Sequence, residues 1–222
     1  LRGRAGRVTP TPSSSSAAAR LRPSWQDQLQ PTTPVADEFA ELTEAVALLA
    51  ESFTRSDPPP EVAAALAARI RDIAAVLADH EVAEDDQPGG KLWDRPGRGQ
   101  ILTPALHIDE VTAEAVRARF TLGRFHSGRD ALNGGVTPMI FDEALSRLAN
   151  AGGRPWARTA HLAVDYRAPA PLHRQLSVTA ELLGEDGRKR WMRGEIRDGT
   201  TLLAEATGLW IVPRPPQPRD HT

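Results

Sequence analysis

Apolar residues recur along the first third of the chain at three- and four-residue spacing. Phe39, Leu42, Val46, Leu49 and Phe53 form one such series, and Val62, Leu66, Ile70, Ile73 and Leu77 form a second. That spacing is the period of a helix with one apolar face. Between them stands Asp57-Pro58-Pro59-Pro60, and a proline run ends a helix because it lacks N–H donors and clashes with the preceding turn. The pattern predicts helices over 36–53 and 60–80, joined as a hairpin. Neither helix can bury its stripe alone, so the pair needs the rest of the chain or a partner to pack on. Residues 81–100 hold Glu84-Asp85-Asp86, Pro88-Gly89-Gly90 and Pro96-Gly97 and read as a linker.

From residue 101 the period changes. Residues 104–110 and 114–122 read as strands, 123–133 as a polar loop, and 136–150 as a helix. Four strand-like runs follow, at 159–167, 175–183, 189–197 and 201–212. Asp186-Gly187 and Asp198-Gly199 are hairpin turn signals between them. In the first of these runs Ala160, Leu162, Val164 and Tyr166 alternate with His161, Ala163, Asp165 and Arg167. The pattern therefore predicts an α+β fold, an antiparallel sheet around one long helix. Its units are a disordered, low-complexity tail at 1–34, a helical extension at 35–82, a linker at 83–100, the sheet domain at 101–213 and a second tail at 214–222.

Composition narrows the chemistry. The 222 residues suffice for one substantial domain with an appendage. A formal net charge of −2 gives no electrostatic reason to expect nucleic acid as a partner. The absence of cysteine removes disulfides, thiolate catalysis and cysteine-type zinc sites, and it fits a cytoplasmic protein. No run approaches the roughly 20 apolar residues that span a bilayer. Lys91 and Lys189 are the only lysines among 27 basic residues, a bias that reads as a GC-rich, bacterial genome. Residues 1–34 are rich in Ser, Pro and Arg, a composition shared with transit peptides, but lack the apolar core of a secretory signal. The chain opens on Leu1 rather than Met, so it reads as a fragment or an over-extended reading frame.

The most informative stretch is Asn133-Gly134-Gly135 at the start of the 136–150 helix, with Asp142 further along it. A glycine pair lets the backbone approach a ligand closely. The free N–H groups and positive end of the helix point toward that pair, and they suit a carbonyl oxygen that gains charge during attack. Backbone donors plus a carboxylate, with no metal-ligand spacing nearby, suggest acyl chemistry. Nine residues at about 100° each place Asp142 roughly 180° from Asn133 and about 13 Å along the axis. The two cannot readily converge within one subunit, and an antiparallel second copy of the helix would bring them together.

Five motifs in order resemble the hotdog-fold acyl-CoA thioesterases of the phenylacetate-pathway type. They are Asn133-Gly134-Gly135, Asp142 nine positions on, Thr159 opening the strand that ends in Ala168-Pro169, then Gly187-Arg188-Lys189, and Leu203 through Trp210. The likeness runs from about Ile101 to Val212. The family's His is Asn133 here. The resemblance implies a hotdog fold and metal-free hydrolysis of an acyl-CoA to free acid and CoA. It also implies a site built across a homodimer or dimer of dimers, with no cofactor beyond the coenzyme A of the substrate. It makes Asp142, Gly135, Gly134, Asn133 and Thr159 the candidate catalytic residues. His126 and Ser127 lie in the loop where such enzymes often place substrate contacts.

Each assignment has a plainer counterpart. Asp142, Glu143, Ser146, Arg147 and Asn150 share an arc of roughly 140° and could form a solvated face; Glu143 competes as the carboxylate. Asn133 is a good N-cap, Gly134 and Gly135 suit close packing, and Thr159 suits any strand. Arg167, Arg188 and Lys189 could meet the phosphates of coenzyme A or only solvate a hairpin end. Asp142 could activate water or attack directly. Met139, Ile140 and Phe141 could line an acyl slot or form core. A non-catalytic acyl-CoA or acyl-carrier binding module on the same scaffold is the alternative function.

Overall fold

The computed structural model describes residues 37–214; the expected tails lie outside the described residues, apart from Arg214. Two helices come first, α1 (Asp37–Thr54) and α2 (Pro60–Ala78), where the helical spacing puts them. Six strands and one further helix follow. The strands are β1 (His107–Val111), β2 (Ala115–Phe120), β3 (Arg158–Tyr166), β4 (Leu176–Asp186), β5 (Lys189–Asp198) and β6 (Thr201–Ile211), and α3 (Val136–Ala149) lies between β2 and β3. All neighbours pair antiparallel, in the order β1-β2-β4-β5-β6-β3.

One face of the sheet wraps α3. Ile140, Phe141, Ala144, Leu145 and Leu148 are fully buried against Val116, Phe120, Val178, Met192, Ile196 and Trp210. Each large side chain so buried contributes roughly 1.5–3 kcal/mol. Met139, Ile140 and Phe141 were possible slot residues; Ile140 and Phe141 are core. Two glycines let the helix sit close. A Cβ on Gly194 would stand 2.9 Å from the Thr179 carbonyl and 3.1 Å from the Phe141 ring, and one on Gly208 would enter the Trp210 ring. The Trp210 indole N–H in turn donates to Ser146 Oγ at 3.0 Å.

The segment read as a linker is mostly exposed up to Lys91 but packed from Leu92 on. Leu92 and Trp93 are buried, and so are Gly97 and Gly99 of the 3-10 turn Pro96–Gly99. Gly97, Arg98 and Gly99 all hold positive φ, and this tight turn aims Arg98 at α3. The two N-terminal helices differ in burial. α1 leans on the domain through Phe39, Thr43, Val46 and Ala50. α2 buries no residue, and Leu66, Ile70 and Ile73 are exposed. At the other side, β3 is an edge strand with only Leu162 and Val164 half-covered.

The close approach of α3 to the sheet yields a test. Gly194→Ala should destabilise the fold by about 1–3 kcal/mol through overpacking. Gly184→Ala, at a strand glycine without positive φ where a Cβ meets nothing within 4 Å, serves as the control without overpacking, with a smaller loss. Urea titration of both variants measures the difference.

Candidate active site

The loop and the first turn of α3 form one half of the site. Asn133 accepts the Gly135 N–H on its side-chain oxygen at 2.8 Å, and its carbonyl accepts the Val136 N–H at 2.9 Å. Asn133 therefore closes an Asx turn just ahead of α3, whose N-cap residue is Gly135 with no side-chain cap bond. This corrects the expectation that Gly134 and Gly135 both offer their N–H groups to a ligand: the Asn133 side chain takes that of Gly135. Among the described residues the Gly134 N–H has no hydrogen-bond acceptor. Asn133, Gly134 and Gly135 are exposed.

Tyr166 holds the same turn from the sheet, its hydroxyl donating to the Gly134 carbonyl. Beside it opens a slot of about 370 Å³, lined by Leu132, Gly134, Thr137, Tyr166, Ile196 and Leu203 among others. The slot is apolar along most of its wall, and the unpaired Gly134 N–H stands beside it.

Asp142 forms the other half. Half-buried on α3, it accepts the Thr159 hydroxyl at 2.6 Å. A β-bulge makes this contact possible. Directly paired residues of an antiparallel sheet face the same side. Leu162, Val164 and Tyr166 pair with Gly208, Ala206 and Ala204, on the helix side. Simple alternation would turn Thr159 away, with His161. The register shifts between Thr159 and His161, so Thr159 pairs with the buried Trp210 and faces α3. Bulges commonly re-aim a side chain in this way.

The two halves stay apart within one chain. Gly134 meets Tyr166 at one end of β3, and Asp142 meets Thr159 at the other. Eight residues separate Gly134 from Asp142, about 12 Å along the axis of α3.

Glu143 does not compete as the reactive carboxylate. It is 4 % exposed and paired with Arg147 at 2.8 Å. Arg98 Nε stands 3.1 Å from its other oxygen, as an ion pair without hydrogen-bond alignment. Trp93 covers the pair, its ring centroid 4.5 Å from Arg98 and 5.2 Å from Arg147. Burial pushes the Arg147 guanidinium below its ordinary value, and Glu143 pulls it back. Asn150 is also buried, bonded to the Ser146 and Ala157 backbones. The polar arc of α3 is thus no solvated face: residues 92–99 close over it.

The remaining candidate residues fall into separate places. His126 and Ser127 line cavities on the α1 side of the loop rather than the slot beside Gly134. Burial pushes the His126 imidazole down, against the pull of Glu51, and its Nε2 is buried without a partner. Arg167 lines the slot but is paired with Glu205. Arg188 donates to the Val212 carbonyl at 2.6 Å. Arg188 and Lys189 sit at the Thr159 end of the sheet, since Lys189 and Arg158 both pair with Ile211. Among the described residues no group of three His, Asp or Glu is placed to hold a metal ion, and no helix is long and apolar enough to cross a membrane.

Sequence reasoning missed two contributors. Tyr166 appeared only as one position in an alternating strand. Glu51 was not singled out at all, yet its carboxylate accepts the N–H groups of Arg124 and Phe125 in the loop before α3. Desolvation raises that carboxyl, but the bonds from Phe125 and Arg124, with His173 and Arg55 nearby, hold it below the usual carboxylate range.

Residues 130–205 match the family model described as Thioesterase superfamily. That span contains Asn133, Gly134, Gly135, Asp142 and Thr159. A crystal structure described as a thioesterase superfamily protein superposes with a TM-score of 0.67 at 26 % identity, over 78 % of this chain and 94 % of that one. The sheet and its helix are only about half of the 222 residues, so this likeness takes in much of the N-terminal extension. The E. coli PaaI protein from the phenylacetic acid degradation operon superposes at 0.45 and 18 % identity, covering 48 % of this chain and 82 % of that one. A hypothetical thioesterase protein from Streptococcus pneumoniae TIGR4, solved with coenzyme A, does so at 0.46 and 14 %, covering 49 % and 85 %. These last two are too distant to speak to chemistry. No curated protein matches the sequence.

The adjacent carboxylates of α3 should separate cleanly in stability. Glu143→Ala leaves two arginines without their buried partner and should cost about 3–5 kcal/mol. Asp142→Asn keeps an acceptor for Thr159 and should cost under about 1 kcal/mol. Equal losses in denaturant titration would contradict this division between a structural and an available carboxylate.

Proposed function

We propose that this chain, a hotdog-fold member of the thioesterase superfamily, hydrolyses an acyl-CoA thioester at a site shared by two subunits. The observation that carries the reading is the pair of contacts at opposite ends of β3: Thr159 on Asp142, and Tyr166 on Gly134. If β3 pairs antiparallel with β3 of a second copy, centred near Leu162 and Ala163, residue 159 of one lies opposite residue 166 of the other. The Asp142 of one subunit then stands beside the partner's Gly134. The exposed edge of β3 suits this pairing, because an unpaired strand edge is a template for another chain.

In this arrangement the acyl group lies in the slot between α3 and the sheet. The Gly134 N–H and the positive end of α3 polarise the thioester carbonyl. Thr159 holds one oxygen of Asp142, and the other accepts a proton from water as the water adds to the carbonyl carbon. The tetrahedral intermediate collapses, the carbon–sulfur bond breaks, and the thiolate of CoA takes the proton back from Asp142. The products are a free acid and CoA.

One observation favours the second reading, a non-catalytic acyl-CoA binder. Asn133 stands where the family has His, and its side-chain oxygen occupies the Gly135 N–H, so one donor of the pair is lost. Hydrolysis decides between the two. Across a panel of acyl-CoA chain lengths, Asp142→Ala should lower kcat by about 10²-fold or more, the scale of losing a positioned base. KM should change little, because the carboxylate acts chiefly in the transition state. Equal rates for wild type and variant would leave the binding reading in its place.

A further inference from the structure

The loop that leads into α3 is held at its far end by the N-terminal extension. Glu51, near the end of α1, accepts the Arg124 N–H at 3.0 Å on one carboxylate oxygen and the Phe125 N–H at 2.8 Å on the other. Charge-assisted bonds of this kind are the strong ones. The fit is close: a Cβ on Gly123 would stand 2.6 Å from the Glu51 carboxylate.

Beyond this clamp the loop is tied to itself. The Arg124 guanidinium donates to the Arg129 carbonyl at 2.9 Å. The Gly128 N–H donates to the Ala131 carbonyl, and the Asn133 N–H to the His126 carbonyl, each at 2.9 Å. A Cβ on Gly128 would lie 3.3 Å from Asn133 Cα, and the Phe125 and His126 rings pack edge to face at 4.9 Å. Residues 124–133 therefore form one braced piece, with Glu51 at one end and the Asn133-Gly134 turn at the other. Nothing in the proposed chemistry uses Glu51, and it lies outside the sheet domain.

We propose that Glu51 is a positioning residue for the site: by clamping Arg124 and Phe125 to α1 it sets where the Gly134 N–H stands, which makes the helical extension part of the active-site framework. The kinetic consequence rests on the thioesterase reading, whereas the mechanical one does not.

The test compares Glu51→Ala, Gly123→Ala and the double variant in the full chain. Gly123 has an extended backbone, φ −106° and ψ −159°, so the first thing its methyl meets is the Glu51 carboxylate. Each single variant should lower kcat about tenfold on the acyl-CoA that wild type turns over best, with KM within about threefold, as expected of misplacement rather than lost binding. The double variant should fall no further than Glu51→Ala, because the methyl no longer meets a carboxylate; independent structural damage would add. Hydrogen exchange supplies a readout that needs no activity. Glu51→Ala should speed exchange about tenfold or more at the amides of Arg124, Phe125 and Asn133, while core amides of α3 hold. Additive kinetic losses, or unchanged exchange at Asn133, overturn the proposal. If Asp142→Ala is inactive and Glu51→Ala retains full kcat, the role of Glu51 falls and the thioesterase reading stands. If Asp142→Ala is as active as wild type, the thioesterase reading falls, and exchange at Asn133 alone decides for or against the clamp.

Discussion

A helix can present only one face to a sheet, and α3 carries three kinds of surface on fourteen residues. Its apolar stripe fills the sheet, its polar arc holds Glu143 and Arg147, and Asp142 points toward the edge strand. Burying the stripe forces the polar arc outward, where two charges need cover. Residues 92–99 supply it, with Trp93 over both guanidiniums and Arg98 against the free oxygen of Glu143. A buried ion pair is a weak source of net stability but costly to break. The packed segment before β1 is therefore a consequence of what α3 carries.

The same geometry separates the two groups that acyl chemistry needs. The helix start and Asp142 stand at opposite ends of β3, each held by a side chain of that strand. Placing them at one reaction centre takes a second copy, and the exposed β3 edge is where a two-fold arrangement would supply one. α1 braces the loop on the opposite side of the helix start. The proposed site thus draws on an edge strand, a helix terminus and an appended helix. α2 takes no part in it and leaves an apolar stripe in solvent.

The hydrophobic pattern places every α-helix and strand of the described residues within a few positions, though not the short 3-10 turns. It succeeds because α3 and the strands each bury one face, so the period survives in the sequence. The pairing of Thr159 with Asp142 was legible as well, through the resemblance. The rest depends on contacts distant in sequence. The bulge at Ala160 turns Thr159 toward α3, and no local signal in an Arg-Thr-Ala-His run marks it. The burial of Glu143 and Arg147 depends on Trp93, some fifty positions earlier, in a Gly- and Pro-rich segment that reads as a linker. Glu51 acts on backbone N–H groups 73 and 74 residues away, which a helical wheel cannot reveal.

The central claim is that one reaction centre takes Asp142 from one subunit and the Gly134 N–H from the other. Co-expression of two inactive chains tests it most directly. Asp142→Ala lacks the carboxylate, and Gly134→Pro lacks the N–H, in the turn ahead of α3 where Gly134 does not hold positive φ. Each alone should be inactive. Heterodimers should carry one intact site and one doubly defective site, so a randomly assorted two-fold population should recover about a quarter of wild-type hydrolysis and purified heterodimer about half. No recovered activity in purified heterodimer would contradict a shared site and return both groups to a single subunit.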